Sequence, residues 1–569
     1  MGMKTCVLLS LCFVFSNCVD NDESVVYNAK DEKHIDLFPG EVLLRAIPPN
    51  VTVVLTVQKV SPTTSFLVCQ AHIQYGNLTL SLDATQSVGK FVTGSDIGVV
   101  TVLEPQQNKV SWYLFSKLDI SVNTLFYVTA LNENDTLPGG CNQEFDMEND
   151  PNIHIEQNAF WHNVIFQWSN IGFSRMGIPP NCEDYTKQDY LEYEMYAYYL
   201  KEGNFQRDTY LEGMKKMLKP EDIMLYGVKV KSLLNNKLET SNATIAGYSR
   251  QGVIYGVVVR GSRQGKITHA AYISRSTYSC NVADSSCEHI DAGSMVLATF
   301  GGIIGIFLLF LGHRFFKTEN FIFGFLAFAL IFYIVFAVTT EESNTVCLVL
   351  AGVFGLVGGF LWLAFWWNCG FPLVSVLLIG LVAGFLFSSV LFYTPFGNLS
   401  YWQSEFNYGM TFACACLILP VILMCYTRFL NIFACAFVGS FGVVLAIDHY
   451  LFGGMKMILI NSIRHATVPE YYRVFVLGPY QTNDIILTVV WLLLMVIGIV
   501  FQLYRERTKA PFPPCPRKVN RRYLQPLTRH LRQTSDDNDD RQSLVPDTTP
   551  HYNQYVAENV HIPEEPCST

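Results

Sequence analysis

Between residues 293 and 501 polar positions thin out and seven apolar runs stand in series: Gly293–Gly312, Phe321–Val338, Val346–Trp367, Phe371–Tyr393, Tyr408–Cys425, Phe429–Ile447 and Ile485–Phe501. Each holds roughly 17–23 residues, enough to cross about 30 Å of hydrocarbon as a helix. Backbone groups in lipid must bond within the segment, so helices are the expected form. Before residue 290 the pattern changes to short runs rich in β-branched and aromatic residues, broken by Gly, Pro, Asn and Asp. Val51–Val57, Ser65–Ile73, Val99–Leu103, Val110–Phe115 and Leu125–Ala130 form a first set of predicted strands. Asn163–Trp168, Leu191–Leu200, Ile223–Val230 and Gly252–Arg260 form a second. Leu211, Met214 and Leu218 fall at helical spacing and predict one helix over Thr209–Leu218. The expected fold is a membrane α-helical bundle of seven spans preceded by a β-rich, sandwich-like region. The β-rich region divides into segments 19–145 and 146–290, with a single large β-domain as the alternative. The bundle covers 291–502, and 503–569 is a basic, then acidic tail expected to be disordered.

The chain has 569 residues, of which 50% are hydrophobic and 15% charged, and its formal net charge is −9. That total hides nine Lys or Arg between 503 and 532 against the single acid Glu506. A basic run alone suggests nucleic acid. Here it follows a span directly, so a cytoplasmic anchor near anionic lipid fits better, and no nucleic-acid partner is expected. Residues 1–18 read as a cleaved signal peptide: Lys4, the apolar core Cys6–Phe15, and small Ser16 and Cys18 before cleavage. That core is too short for an extra span. An outside N-terminus puts loop 313–320, with His313, Arg314 and Lys317, on the cytoplasmic side along with the basic tail. Segment 448–484 then lies outside. Its apolar piece Met457–Ile463 is too short to span and is expected in the interface.

Candidate chemistry is sparse. N-x-S/T acceptors stand at Asn50, Asn77, Asn134 and Asn242, with a fifth at Asn398 between the fourth and fifth runs. Five cysteines lie between the signal peptide and the first span. Cys280 and Cys287 are close enough in sequence to pair, Cys141 and Cys182 give a second bridge, and Cys69 remains in an apolar strand as a buried thiol or an intermolecular bridge. Asp146, Glu148 and Asp150 alternate, so an extended chain would put three carboxylates on one face as a candidate calcium site; a solvated acidic linker is the bland alternative. Small residues four apart (Gly301 and Gly305, Gly355 and Gly359, Gly380 and Gly384, Gly442 and Ala446) let helix backbones approach closely, within one bundle rather than between copies. The span centres lack Asp, Glu, Lys, Arg and His, which argues against a proton-coupled pump. The third run ends Trp366-Trp-Asn-Cys369-Gly and the seventh has no Asn-Pro-x-x-Tyr, so a rhodopsin-like receptor is not indicated. Asp448 and His449 lie a bilayer apart from His313, which excludes an intramembrane zinc site built from them. No phosphate loop or nucleophile elbow occurs. Cys515 is a candidate for palmitoylation; Cys567, with two residues after it, is not a prenylation site.

Several strings together carry a resemblance: Pro138-Gly-Gly-Cys141-Asn, Asp150-Pro-Asn152, Gln251-Gly-Val-Ile-Tyr255, Gly312-His-Arg314-Phe-Phe-Lys317-Thr, Thr394-Pro-Phe-Gly-Asn-Leu399, Val443-Val-Leu-Ala-Ile-Asp448 and Gln481-Thr-Asn-Asp484. In this order and spacing, from about residue 45 to 515, the chain resembles the transmembrane 7 superfamily member 3 family. The resemblance implies a signal peptide, a glycosylated ectodomain, seven spans, a plasma-membrane location, and a role in cell survival and in damping endoplasmic-reticulum stress. It implies no catalytic activity and no cofactor. The expectation is a non-enzymatic surface glycoprotein with an unidentified ectodomain partner. An orphan receptor, or a channel or lipid transporter, is the alternative.

Overall fold

A computed structural model describes residues 34–158, 160–182, 191–234, 242–248, 250–263, 266–280, 287, 292–340, 343–476, 478, 480–509 and 512–513. The predicted signal peptide, Cys515, Cys567 and nearly all of the basic and acidic tail lie outside the described residues.

Two sheets face each other in the first β-rich unit. One has the order His34–Leu37, Thr52–Gln58, Lys109–Ser116, Leu78–Ser81, Phe91–Gly94; the other has the order Val42–Ile47, Val122–Asn132, Thr64–His72, Asp96–Val102. Strand Thr64–His72 is buried at every position. Successive side chains of a strand point to opposite faces. Here Leu67, Cys69 and Ala71 enter the core of the first sandwich, while Phe66 and Val68 enter the core of the second unit. The four-stranded sheet is therefore a middle layer. Cys69 is a free, buried thiol within it, and burial pushes its thiol well up.

The second unit holds Leu191–Tyr199 between Val228–Leu234 and Val253–Arg263, extended by Lys266–Ala271 and Arg275–Thr277. Facing it are a sheet of His154–Gln157, Trp161–Ile165 and Asn242–Ala246 and the pair Leu137–Cys141 with Trp168–Asn170. Two helices, Arg207–Lys215 and Pro220–Tyr226, cover the seam with the first unit. Tyr210, Met214 and Ile223 pack there against Leu125 and Tyr127. The expected strand over Ile223–Val230 is corrected: Pro220 opens a helix with Glu221 and Asp222 in its first turn, a favourable start for the helix dipole, and the strand begins only at Val228.

The units are also joined by polar contacts. Asp96 of the first accepts hydrogen bonds from Tyr210 Oη at 2.6 Å and from Ser276 N and Oγ at 3.0 and 2.8 Å, and its Oδ1 lies 2.9 Å from His72 Nδ1. Burial raises the Asp96 pKa, but these hydrogen bonds outweigh it and hold the carboxyl below the usual range. Asn152 exchanges two hydrogen bonds with the Gly98 backbone, at 2.8 and 2.9 Å.

Among the described residues seven long helices follow: Ala292–Leu311, Phe316–Thr339, Asn344–Cys369, Pro372–Tyr393, Glu405–Leu423, Thr427–Leu451 and Thr482–Glu506. Six apolar segments of this region are long enough to cross a membrane; one of them, Glu405–Leu451, has 47 residues, and a 3-10 turn at Met424–Tyr426 divides it into two helices. The second span corrects a boundary. Loop 313–320 does not exist as a loop, because a 3-10 turn at His313–Phe315 runs into a helix that already includes Glu319. The third span stops on Gly370 in the left-handed region, and Pro372 starts the fourth, so the connection needs almost no chain.

Small residues set the helix spacing. A Cβ on Gly305 would meet Gly439 O at 2.7 Å, and one on Gly384 would meet Cys416 O at 2.0 Å. Gly355 and Gly359 face Phe325 and Phe321 of the second span, and Gly380 faces Pro420. These contacts lie within the chain. Gly301 faces open space, although Gly442 lies against its carbonyl.

Candidate functional site at the joint between the β-rich region and the bundle

Segment 452–481, between the sixth and seventh spans, is where the β-rich region meets the bundle. The sixth span ends on Phe452 in the left-handed region (φ 54°), and the chain turns over Gly453–Lys456. Two buried carboxylates hold that turn. Asp448 accepts from Met455 N and Lys456 N at 3.1 and 3.2 Å, and Asp484 accepts from Gly454 N at 2.7 Å. Asp484 also closes the seventh span's capping box by accepting from Gln481 N at 2.8 Å. Each charge is met by backbone donors, which is how a buried carboxylate is tolerated.

Helix Met457–Thr467 follows and carries the apolar piece Met457–Ile463 that was too short to span. Ile458 enters the core of the bundle, while Met457 packs with Ala246 and Tyr248 of the second unit. Asn461 pairs with Tyr248 Oη at 2.8–3.0 Å and accepts from Tyr471 Oη at 3.1 Å. Arg464 donates to Gly247 O at 2.7 Å and lies over the rings of Phe160 and Tyr248. Beyond the helix, Phe475 adds itself to the free edge of Asn242–Ala246. Its N–H donates to Thr244 O, and its carbonyl accepts from Ala246 N, both at 2.9 Å. This is strand addition to a sheet edge, made within one chain. Lys456 forms an ion pair with buried Glu202, and Gln481 donates to Leu200 O at 2.8 Å. On the bundle side, His465 stacks on Tyr408 of the fifth span at 3.8 Å.

Two imidazoles line this joint. Burial, and then the nearby Arg464 charge, pushes the His162 pKa down to about 4, and burial pushes His465 down to about 3. His162 contacts Tyr255 Oη and Ser279 Oγ at 2.9 and 2.6 Å.

The residues singled out in the sequence fall elsewhere. Cys141 is bonded to Cys182, and Cys280 to Cys287. Asn50, Asn77 and Asn134 are exposed. Asn242 is half-buried in its strand. Asn398 spends its amide on the Val476 backbone, donating to its carbonyl at 2.8 Å and accepting from its N–H at 2.9 Å. The calcium reading is corrected. Residues 146–150 form bends rather than a strand, so Asp146 and Glu148 face solvent while Asp150 is buried, accepting from Asn152 N at 3.0 Å and lying 2.8 Å from His154 Nε2. Among the described residues no group of three or more His, Cys, Asp or Glu gathers as a metal site. Sequence reading missed Tyr248, Asn461, Arg464 and Phe475. The amphipathic helix and the β-type run ending in Val474-Phe-Val476 were their only local signals.

These features define a class: a seven-span membrane protein with two immunoglobulin-like β-units seated on one end of its bundle. Family models agree part by part. The TM7SF3-like N-terminal immunoglobulin-like domain matches 35–131, the TM7SF3-like second immunoglobulin-like domain matches 137–283, and the TM7S3/TM198-like domain matches 298–503. The chain is similar to transmembrane 7 superfamily member 3 of Rattus norvegicus, 38% identical over 85% of this chain and 83% of the relative. It is 37% identical to the Homo sapiens protein of that name, with the same coverage, and 37% to that of Mus musculus, over 84% and 83%. The chain belongs to the transmembrane 7 superfamily member 3 family.

Proposed function

We propose that the protein is a non-enzymatic, glycosylated surface protein with its β-units outside and its basic tail in the cytoplasm. It reaches the plasma membrane through the endoplasmic reticulum, and its ectodomain binds a protein partner. In line with its family, it acts as a pro-survival factor that attenuates endoplasmic-reticulum stress. The observation supporting this reading is the joint itself. Strand addition at Phe475, the Lys456–Glu202 pair and the Arg464 contacts tie the second β-unit to the bundle at several separate points. An event on the ectodomain therefore has a contiguous physical route to the spans. Exposed Asn77 and Asn134 suit glycans, as does Asn50, whose amide makes only an exposed 3.3 Å contact with Asp119, whereas half-buried Asn398, with both amide atoms on the Val476 backbone, does not.

The test is rescue in cells lacking the protein. Wild type is expected to return stress-response markers to baseline. A double variant, Arg464→Ala with Phe475→Pro, is expected to reach the surface and keep its ectodomain partner in proximity labelling, yet fail to restore the markers. Full rescue by the double variant defeats transmission through the joint; unchanged markers on loss of the protein defeat the stress role.

A further inference from the structure

At the end of the bundle away from the β-units, four spans place polar side chains in a buried layer. Glu319 and Asn320 lie in the first turns of the second span, Ser375 in the first turn of the fourth, Asn431 in the first turns of the sixth, and Trp366 in the last turn of the third. Glu319, Asn320, Ser375 and Asn431 are fully buried. The connections that can be traced run through Glu319. Its Oε1 accepts from Cys435 Sγ–H at 2.9 Å, and the Asn431 amide lies beside the same carboxyl. Asn431 also pairs with His313 Nδ1 at 2.9 Å. Phe316, Trp366, Val376 and Leu430 share one apolar cluster around this layer.

Several of its polar atoms are not satisfied by the described residues. Glu319 Oε2, Asn320 Oδ1, Asn431 Oδ1 and Ser375 Oγ have no hydrogen-bond partner among the described residues. Native proteins leave few buried polar atoms unpaired, and here, among the described residues, four oxygens and two N–H donors, Asn320 Nδ2 and Trp366 Nε1, are unpaired in this layer. One of them belongs to the carboxyl of Glu319, which forms no ion pair among the described residues and is fully buried. Of the described cations at this end, Arg428, Arg505 and Lys509 turn to Glu506, and Lys317 and Arg507 lie over the rings of Trp367 and Tyr504. Ionisable residues within membrane spans are functional by default, because an unpaired charge there is expensive.

We propose that this layer binds a monovalent alkali cation through Glu319 Oε2, with Asn320 Oδ1, Asn431 Oδ1 and Ser375 Oγ as neutral oxygen ligands. Oxygen donors select hard cations. One carboxylate balances one positive charge; calcium and magnesium sites gather more. A water molecule offers two donors and leaves the carboxylate charge in place, whereas a cation serves several oxygens and neutralises the group. Phe512 packs on His313 and Phe316, with ring centroids 5.8 and 5.3 Å apart, and covers the layer from outside the bundle.

The test uses the purified full-length protein in lipid nanodiscs at neutral pH. Thermal unfolding is followed as sodium or potassium chloride replaces choline chloride at constant ionic strength. Binding to the folded state alone predicts a Tm that rises by a few degrees with the logarithm of alkali concentration. Glu319→Gln is expected to abolish the rise, Asn320→Ala or Ser375→Ala to weaken it, and Thr339→Val, at the other end of the second span, to leave it intact. Should Glu319→Gln not fold, retention of radiolabelled sodium or rubidium by wild type, competed by unlabelled alkali but not by choline, decides the same question. Equal Tm in alkali and choline salts overturns the proposal. So does a stabilisation that acid alone reproduces in choline, since Glu319, His313, Cys435 and Glu506 would then be answering to protons only.

Discussion

The two ends of the bundle treat buried polar groups in opposite ways. Near the β-units, Asp448 and Asp484 are almost wholly buried, and backbone N–H groups of Gly454, Met455, Lys456 and Gln481 donate to them. At the far end, among the described residues, Glu319 keeps one carboxylate oxygen without a donor, and Asn320 has neither amide atom bonded. The difference separates architecture from a site. A satisfied carboxylate fixes a turn, and its loss exposes a cost already covered; an unsatisfied one is a demand on something outside the chain.

That contrast can be challenged in four ways. Asp448→Ala should have the largest effect. It leaves the Met455 and Lys456 amides buried without acceptors and is expected to destabilise by about 3 kcal/mol, seen as a lowered Tm of the detergent-solubilised protein. Acid should come next. His162 and His465 titrate near 4 and 3 in the folded protein but near their ordinary value when unfolded. Their contribution is complete above a pH of about 6.5 and is lost as pH falls, because the unfolded chain takes up the protons first. Each histidine should cost on the order of 2 kcal/mol by a pH of about 5, and a pH series of denaturation midpoints checks the slope. Arg464→Ala removes a charge-assisted hydrogen bond and ring contacts at the joint, an effect of about 1–2 kcal/mol. Hydrogen exchange should quicken at 242–248 and 457–476 while the Thr64–His72 strand stays protected. The smallest loss belongs to Glu319→Gln in alkali-free buffer: it removes a buried charge that no described cation pairs with, so stability should stay level or rise. If it costs as much as Asp448→Ala, the two ends are alike after all.

Pattern along the chain was enough for whatever a single element can encode. Unbroken apolar length predicted seven spans, and helices stand at all seven. Alternating and β-branched runs predicted a sandwich-like region, because pleat and burial write themselves into a single strand. Close glycine approach was legible at Gly305 and Gly384, since four-residue spacing marks one face; it was not at Gly301, where the same spacing faces open space. Everything that depends on which elements meet came from packing. Strand Thr64–His72 is buried on both faces because two cores use it, which no period-two rule can assign to partners. Asp146, Glu148 and Asp150 alternate in sequence but not in direction, because the backbone bends there. Glu319, read as a loop residue, became the centre of a buried layer when the helix started earlier than its apolar run. Phe475 found the edge of a strand 230 residues before it, at Ile245. Spacing constrains neighbours along one element; the meeting of elements, and the polar atoms then left unpaired, is fixed only when the whole chain competes for the same interior.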